Sequence, residues 1–120
     1  MTPFGVKIRE IRKQRNISQK KMADDLGVSA AYLSALEHGK KGKPGPGFIK
    51  QICGYFDIIW EEADEIESLV SISDPRVVID TSGLSPYATI FANLTSKKID
   101  QLSIDTLITL INIVKDAKNE

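Results

Sequence analysis

Apolar residues recur along the first seventy positions at the spacing of one helical face, and a turn signal interrupts each run. Phe4, Ile8 and Ile11 stand at i, i+4 and i+7 with basic residues around them, and Pro3 suits a first helical turn. The spacing predicts a helix over Phe4 to Arg15, ending near Asn16 and Ile17. Ser18 is a natural N-cap for a second helix reaching Leu26, with Met22, Ala23 and Leu26 as its buried stripe and Gly27 as its stop. Ser29 caps a third helix from Ala30 to about His38, closed by Gly39, with Val28, Leu33 and Leu36 inward. A fourth begins near Pro46 and aligns Ile49, Ile52, Cys53 and Phe56, leaving Asp57 in the following turn. A fifth, Ile59 to Val70, puts Ile59, Ala63, Ile66 and Val70 on one face and Glu61, Glu62, Asp64, Glu65 and Glu67 outward, with Trp60 nearby.

After Ile72 the pattern changes. Ser73-Asp74-Pro75 is a break, Val77-Val78-Ile79 is a short β-branched run, and Asp80-Thr81-Ser82-Gly83 is turn chemistry. Arg76 to Asp80 is expected to be extended. A lone strand cannot satisfy its own backbone, so it either pairs with the same segment of another subunit or serves as a linker. Ser85-Pro86 opens a helix to about Ile99, and Ser103 caps a last one to about Lys118. That last helix carries Ile104, Leu107, Ile108, Leu110, Ile111, Ile113 and Val114, more apolar surface than one contact stripe needs. Either residues 84 to 118 form a hairpin packed on their own core, or they make a dimer interface. The expected division is a domain over residues 1–72 and a dimerisation or interaction region over residues 73–120.

Size allows one ordinary domain, or a minimal domain with an assembly element, in 120 residues. One cysteine, Cys53, excludes an internal disulfide and a paired-thiol zinc site, and it reads as a small core residue. No apolar run approaches the roughly 18 residues of a membrane span, and nothing resembles a signal peptide. A reducing compartment, the cytoplasm, is expected. Formal charge is zero overall, but residues 1 to 50 hold eleven Lys and Arg against four acids, and residues 51 to 120 hold five against twelve. Phosphate attraction follows local potential, so the first half is suited to a polyanion. Two solvated surfaces of opposite sign would give the same count.

Two short helices flanking a glycine turn suit the major groove, where one helix enters and the preceding one braces it. Ser18-Gln19, Ala23, Gly27-Val28-Ser29, Leu33-Ser34, Leu36-Glu37 and Gly39 resemble the signature of the phage-repressor and Cro (XRE) helix-turn-helix family over roughly residues 4 to 58. The resemblance implies an all-α, five-helix, lambda-repressor-like DNA-binding domain, here followed by the extended segment and a C-terminal helical pair. It implies an architectural ion pair between Arg12 and Glu37, and a phosphate contact at Gln19, whose alternative role is to cap the second helix. It implies double-stranded DNA as partner and a homodimer, formed here through residues 73–120, on two half-sites about one helical turn apart.

Base readout then falls to Ala30, Ala31, Tyr32, Ser34 and Ala35, with Ser29, Lys20 and His38 beside them. Members of the family often carry Gln, Asn, Arg or Lys there. Three alanines offer only methyl contacts, so base specificity is expected to be modest. Tyr32 either reads the groove or packs on the turn. Lys40, Lys41 and Lys43, in a loop rich in Gly and Pro, either clamp the phosphate backbone or form a solvated linker.

Other function classes fit less well. His38 is the only histidine, no nucleophile has a base in context, and no metal spacing appears, so neither an enzyme nor a cofactor or metal site is expected. The run of acids on the fifth helix lacks the interleaved Asn and Gly of a calcium loop. A tail of some fifty residues leaves little room for a small-molecule pocket of about 300 Å³. The alternative function is an antitoxin-like interaction protein, whose C-terminal region binds a partner protein while the N-terminal domain represses its own operon.

Overall fold

The computed structural model describes residues 1–40 and 44–118. Among them it is all-helical: α1 (Pro3–Gln14), α2 (Gln19–Leu26), α3 (Ala30–Glu37), α4 (Pro46–Tyr55), α5 (Trp60–Ser71), α6 (Pro86–Lys98), a 3₁₀ turn (Ile99–Gln101) and α7 (Ile104–Lys115). The chain forms two compact units, Met1–Val77 and Val78–Glu120. No helix among the described residues is long and apolar enough to cross a membrane.

The N-terminal unit is built by repeating one device. The N-cap hydroxyls of Thr2, Ser18 and Ser29 accept from the amides of Gly5, Lys21 and Tyr32, satisfying donors that a helix start leaves free. Helices α1 to α4 are each followed by a left-handed residue: Asn16 (φ 56°), Gly27 (φ 75°), Gly39 (φ 79°) and Asp57 (φ 56°). In every case the next amide turns back to a carbonyl in the last turn: Ile17 to Arg12, Val28 to Ala23, Lys40 to Ala35, and Ile58 to Cys53. The same reversal drops Ile17, Val28 and Ile58 against the core.

That core is one cluster. Phe4, Ile8 and Ile11 of α1, Met22 and Ala23 of α2, Leu33 and Leu36 of α3, and Ile49, Ile52 and Cys53 of α4 meet Phe56, Ile58, Ile66 and Val70. Burial raises the Cys53 thiol above its ordinary pKa, helped by Glu67 and Glu62, so it is a packing residue and not a reactive one. One predicted core position is corrected. Ile59 is 63% exposed and Ile58 takes its place, because the left-handed residue at Asp57 turns the chain one position earlier than the helical period implies. Trp60, also left-handed (φ 57°), is exposed.

The N-terminal unit reaches past residue 72. The Ser73 hydroxyl accepts from the Phe4 amide at 2.9 Å and donates to the Leu69 carbonyl, while the Pro75 ring closes over Gly39. These contacts hold residues 73 to 75 against the start of α1 and the end of α3.

The C-terminal unit is different in kind. Its helices are well started, with Ser85 and Ser103 as N-caps, yet no residue of α6 or α7 is buried. Ala88, Ala92, Thr95, Leu102, Leu107 and Leu110 are half-buried. Residues 76 to 80 form neither helix nor strand, and Val77, Val78 and Ile79 are exposed.

Candidate nucleic-acid interface

Helices α2 and α3 meet across the Gly27 turn, and α3 lies on the core through Leu33 and Leu36. The opposite side of α3 is available. Ala31 and Tyr32 are exposed there, and Ser34 and Ala35 are half-buried. Ala30 differs from its expected outward role: it is half-buried and packs against the core. Ser29 is occupied as the N-cap. Tyr32 is 38% exposed while its ring meets Phe48 edge-on, centroids 6.1 Å apart, so one side chain both packs and faces out. The His38 ring stands over the last turn, Nδ1 2.9 Å from the Ser34 carbonyl. Lys20 and Lys40 are exposed, whereas Lys41 and Lys43 lie outside the described residues.

Beneath this face lies the ion pair. One terminal nitrogen of Arg12 donates to both oxygens of Glu37, at 2.7 and 2.9 Å, and the Gln19 carboxamide donates to the same carboxylate at 3.2 Å. Glu37 is fully buried and Arg12 nearly so. The pair therefore ties α1, α2 and α3 at one point, and Gln19 is fixed by it. The Arg12 Nε is buried and has no hydrogen-bond partner among the described residues.

Arg12 and Glu37 form the floor of an open notch of about 300 Å³, rimmed by Met1, Arg9, Gln19, Ser34 and His38. The lining mixes two arginines, a carboxamide and a hydroxyl with the Glu37 carboxylate, to which Arg12 and Gln19 already donate. Arg9 was not singled out from the sequence. The signal was present, since Arg9 lies one turn before Arg12 on the same face of α1.

A clasp holds α1 on α3. The Thr2 amide and hydroxyl both donate to the Glu37 carbonyl at 3.1 Å, and Gly5 presses so close to that carbonyl that a Cβ there would overlap it. On the far side, the Tyr55 hydroxyl donates to Asp25 at 2.7 Å and Lys21 donates to the same carboxylate at 3.1 Å, joining α4 to α2. These bonds lower the Asp25 pKa. Loss of solvent and the Asp25 carboxylate raise that of Tyr55 to about 12.

Two short helices across a left-handed turn, the second braced on its inner side and open on its outer side, define a helix-turn-helix. Comparison with known proteins places residues 5–62 in the helix-turn-helix domain family. By its signature residues this segment belongs to the phage-repressor and Cro (XRE) type of that family. The chain is similar to an uncharacterized HTH-type transcriptional regulator, RghRB, of Bacillus subtilis, 36% identical over 51% of this chain and 44% of the relative. It is similar to the HTH-type transcriptional repressor RghR of the same organism, 38% identical over 51% of this chain and 45% of the relative. It is also similar to the HTH-type transcriptional activator BcrR of Enterococcus faecalis, 30% identical over 59% of this chain and 34% of that protein. The chain thus spans less than half the length of these three relatives. No solved structure matches it.

Proposed function

We propose that this protein is a sequence-specific, duplex-DNA-binding transcriptional regulator, acting as a repressor and as a homodimer through residues 73–120. The observation that carries the reading is the notch beside α3. It places Arg9 and Gln19 beside the Arg12–Glu37 pair at the edge of the outward face of a helix-turn-helix. A backbone phosphate in that notch would set α3 against the major groove, fixing register without reading sequence. Ala31, Tyr32 and Ser34 would then meet base edges, with methyl and hydroxyl contacts in place of bidentate amides. Repression is supported by the likeness to RghR, and the homodimer by the uncovered apolar surface of the C-terminal unit.

The test is selection from a random duplex library followed by anisotropy titration over a salt series. Enrichment of a two-fold-related motif is expected, and recovery of no duplex above background would overturn the assignment. Changing Lys40, Lys41 and Lys43 together to Ala is expected to weaken all duplexes alike and to flatten the log-log salt slope by up to about three units. An unchanged slope would remove the lysines from the interface.

A further inference from the structure

Residues 76 to 80 run without helix, turn or bend, and every one of them is exposed. Among the described residues, no hydrogen bond engages the backbone N–H or C=O groups of Val77, Val78, Ile79 or Asp80. An unbent, β-branched stretch whose peptide groups are left to water is a template for another strand.

Resting on the homodimer reading above, we propose that this stretch pairs antiparallel with the same stretch of a second copy, about a twofold axis through Val78. The charges select that register. Asp74, Arg76 and Asp80 are the only charged residues between Ser73 and Ser96, and the register must place all three. A twofold at Val78 sets Arg76 against Asp80 of the second copy, Asp80 against its Arg76, and Asp74 against its uncharged Ser82. A parallel in-register pair sets arginine on arginine and aspartate on aspartate. Sliding the antiparallel strands by one or two residues loses both charge pairs, and one such slide sets Asp74 on Asp80. The Asp80 carboxylate is able to receive the arginine. Ser82 donates its hydroxyl and amide to one oxygen, which holds the carboxyl below its usual pKa, and the other oxygen accepts nothing among the described residues.

The backbone agrees. Facing residues in an antiparallel ladder alternate between exchanging hydrogen bonds and exchanging none. The Arg76 amide already donates to the Asp74 carboxylate at 3.0 Å, which places Arg76, and with it Val78 and Asp80, at the non-bonded positions. Val77 then exchanges its amide and carbonyl with those of Ile79 in the second copy, groups that are otherwise left to water. Side chains alternate, so Val77 and Ile79 of both copies form one apolar face, while Arg76, Val78 and Asp80 form the other. Two strands this short are marginal by themselves, so the ribbon fixes register within the homodimer and does not hold it alone.

Cysteine cross-linking of the full chain tests the register, with the wild-type protein and its buried Cys53 as blank. At a non-bonded pair the Cα atoms of position 78 in the two copies lie about 4.5 Å apart, within disulfide reach, whereas those of position 76 lie about 14 Å apart. Mild oxidation of Val78→Cys is expected to give a covalent dimer on a non-reducing gel, and that of Arg76→Cys is not. Combining Arg76→Cys with Asp80→Cys in one chain is expected to restore the cross-link. Light scattering on the same proteins, kept reduced, gives their mass. A covalent dimer from Arg76→Cys alone would overturn the antiparallel register. A dimeric mass with no cross-link in Val78→Cys or in the double variant would overturn the ribbon and leave the homodimer standing. A monomeric mass would overturn both.

Discussion

Arg12 and Glu37 are the residues on which the helix-turn-helix depends most. Both are withdrawn from water, and among the described residues the Glu37 side chain accepts from Arg12 and Gln19 alone. An intact buried pair contributes little net stability, because desolvation offsets the attraction, but removing one partner strands the other. Arg12→Ala is therefore expected to lower unfolding stability by about 3–5 kcal/mol, measured by urea denaturation. A variant as stable as wild type would mean that water already compensates the Glu37 carboxylate. The Tyr55–Asp25 contact makes a milder, pH-dependent contribution. Tyr55 has a raised pKa in the folded state, about 12, so its contribution is present below its ordinary value near 10 and is lost as pH rises through about 12. The Asp25 pKa is lowered, so its share is present above 3.8 and is lost as pH falls through the depressed folded value. Asp25 is exposed and Tyr55 only half-buried, so solvent screens the effect. Alkaline titration followed by phenolate absorbance, wild type minus Tyr55→Phe, is expected to isolate one tyrosine titrating near pH 12; a difference curve centred near 10 would exclude the bond.

The helices hold together because their ends are specified as firmly as their faces. Gly5 lets the start of α1 approach the end of α3, where Thr2 binds the Glu37 carbonyl twice. Gly5→Ala places a methyl group where that carbonyl stands, so the two helices must separate, at a cost of about 1–3 kcal/mol. Thermal unfolding should show the loss, and because α3 moves, duplex affinity should fall with it; an unshifted melting temperature would mean that the clasp is slack. Most of this architecture was legible in the sequence. Ser18, Ser29, Gly27 and Gly39 announce their caps by residue type, and the stripes Phe4-Ile8-Ile11 and Ile49-Ile52-Cys53-Phe56 follow the helical period. What escaped depends on backbone geometry that residue type does not encode. Counting four back from Ala63 selects Ile59, but that residue precedes α5 and the reversal at Asp57 delivers Ile58 instead. Ser73 reads as a turn residue, and only folding brings it to the Phe4 amide, sixty-nine positions away in sequence. For the candidate site, Arg12, Gln19 and Glu37 were legible through their motif. Arg9 and the Thr2 clasp come from packing between helices, which a single chain pattern does not display.

At the scale of the molecule, charge and apolar surface are divided differently from what the two halves of the chain imply. The acidic surplus of the second half sits on α5, whose Lys7–Glu65 contact with α1 measures 3.5 Å. Residues 73–120 carry five Lys and Arg against six acids and are nearly neutral. A near-neutral tail with uncovered isoleucines is suited to association through apolar contact. The N-terminal unit, by contrast, holds every buried core residue among the described residues and its own caps, and it is expected to fold without the rest. Truncation after Val77 should leave a folded monomer that binds one half-site weakly, because the loss of the second unit removes the effective concentration that links two half-sites. Truncation after Ile72 removes Ser73 and Pro75 as well. The Phe4 amide then loses its acceptor and Gly39 its cover, so the shorter fragment should be less stable by about 1–3 kcal/mol. Light scattering and urea denaturation of the two fragments decide the matter. Equal stability would show that residues 73–77 are a passive tether, whereas a gap of that size would place the end of the DNA-binding module at the segment that clasps α1 to α3.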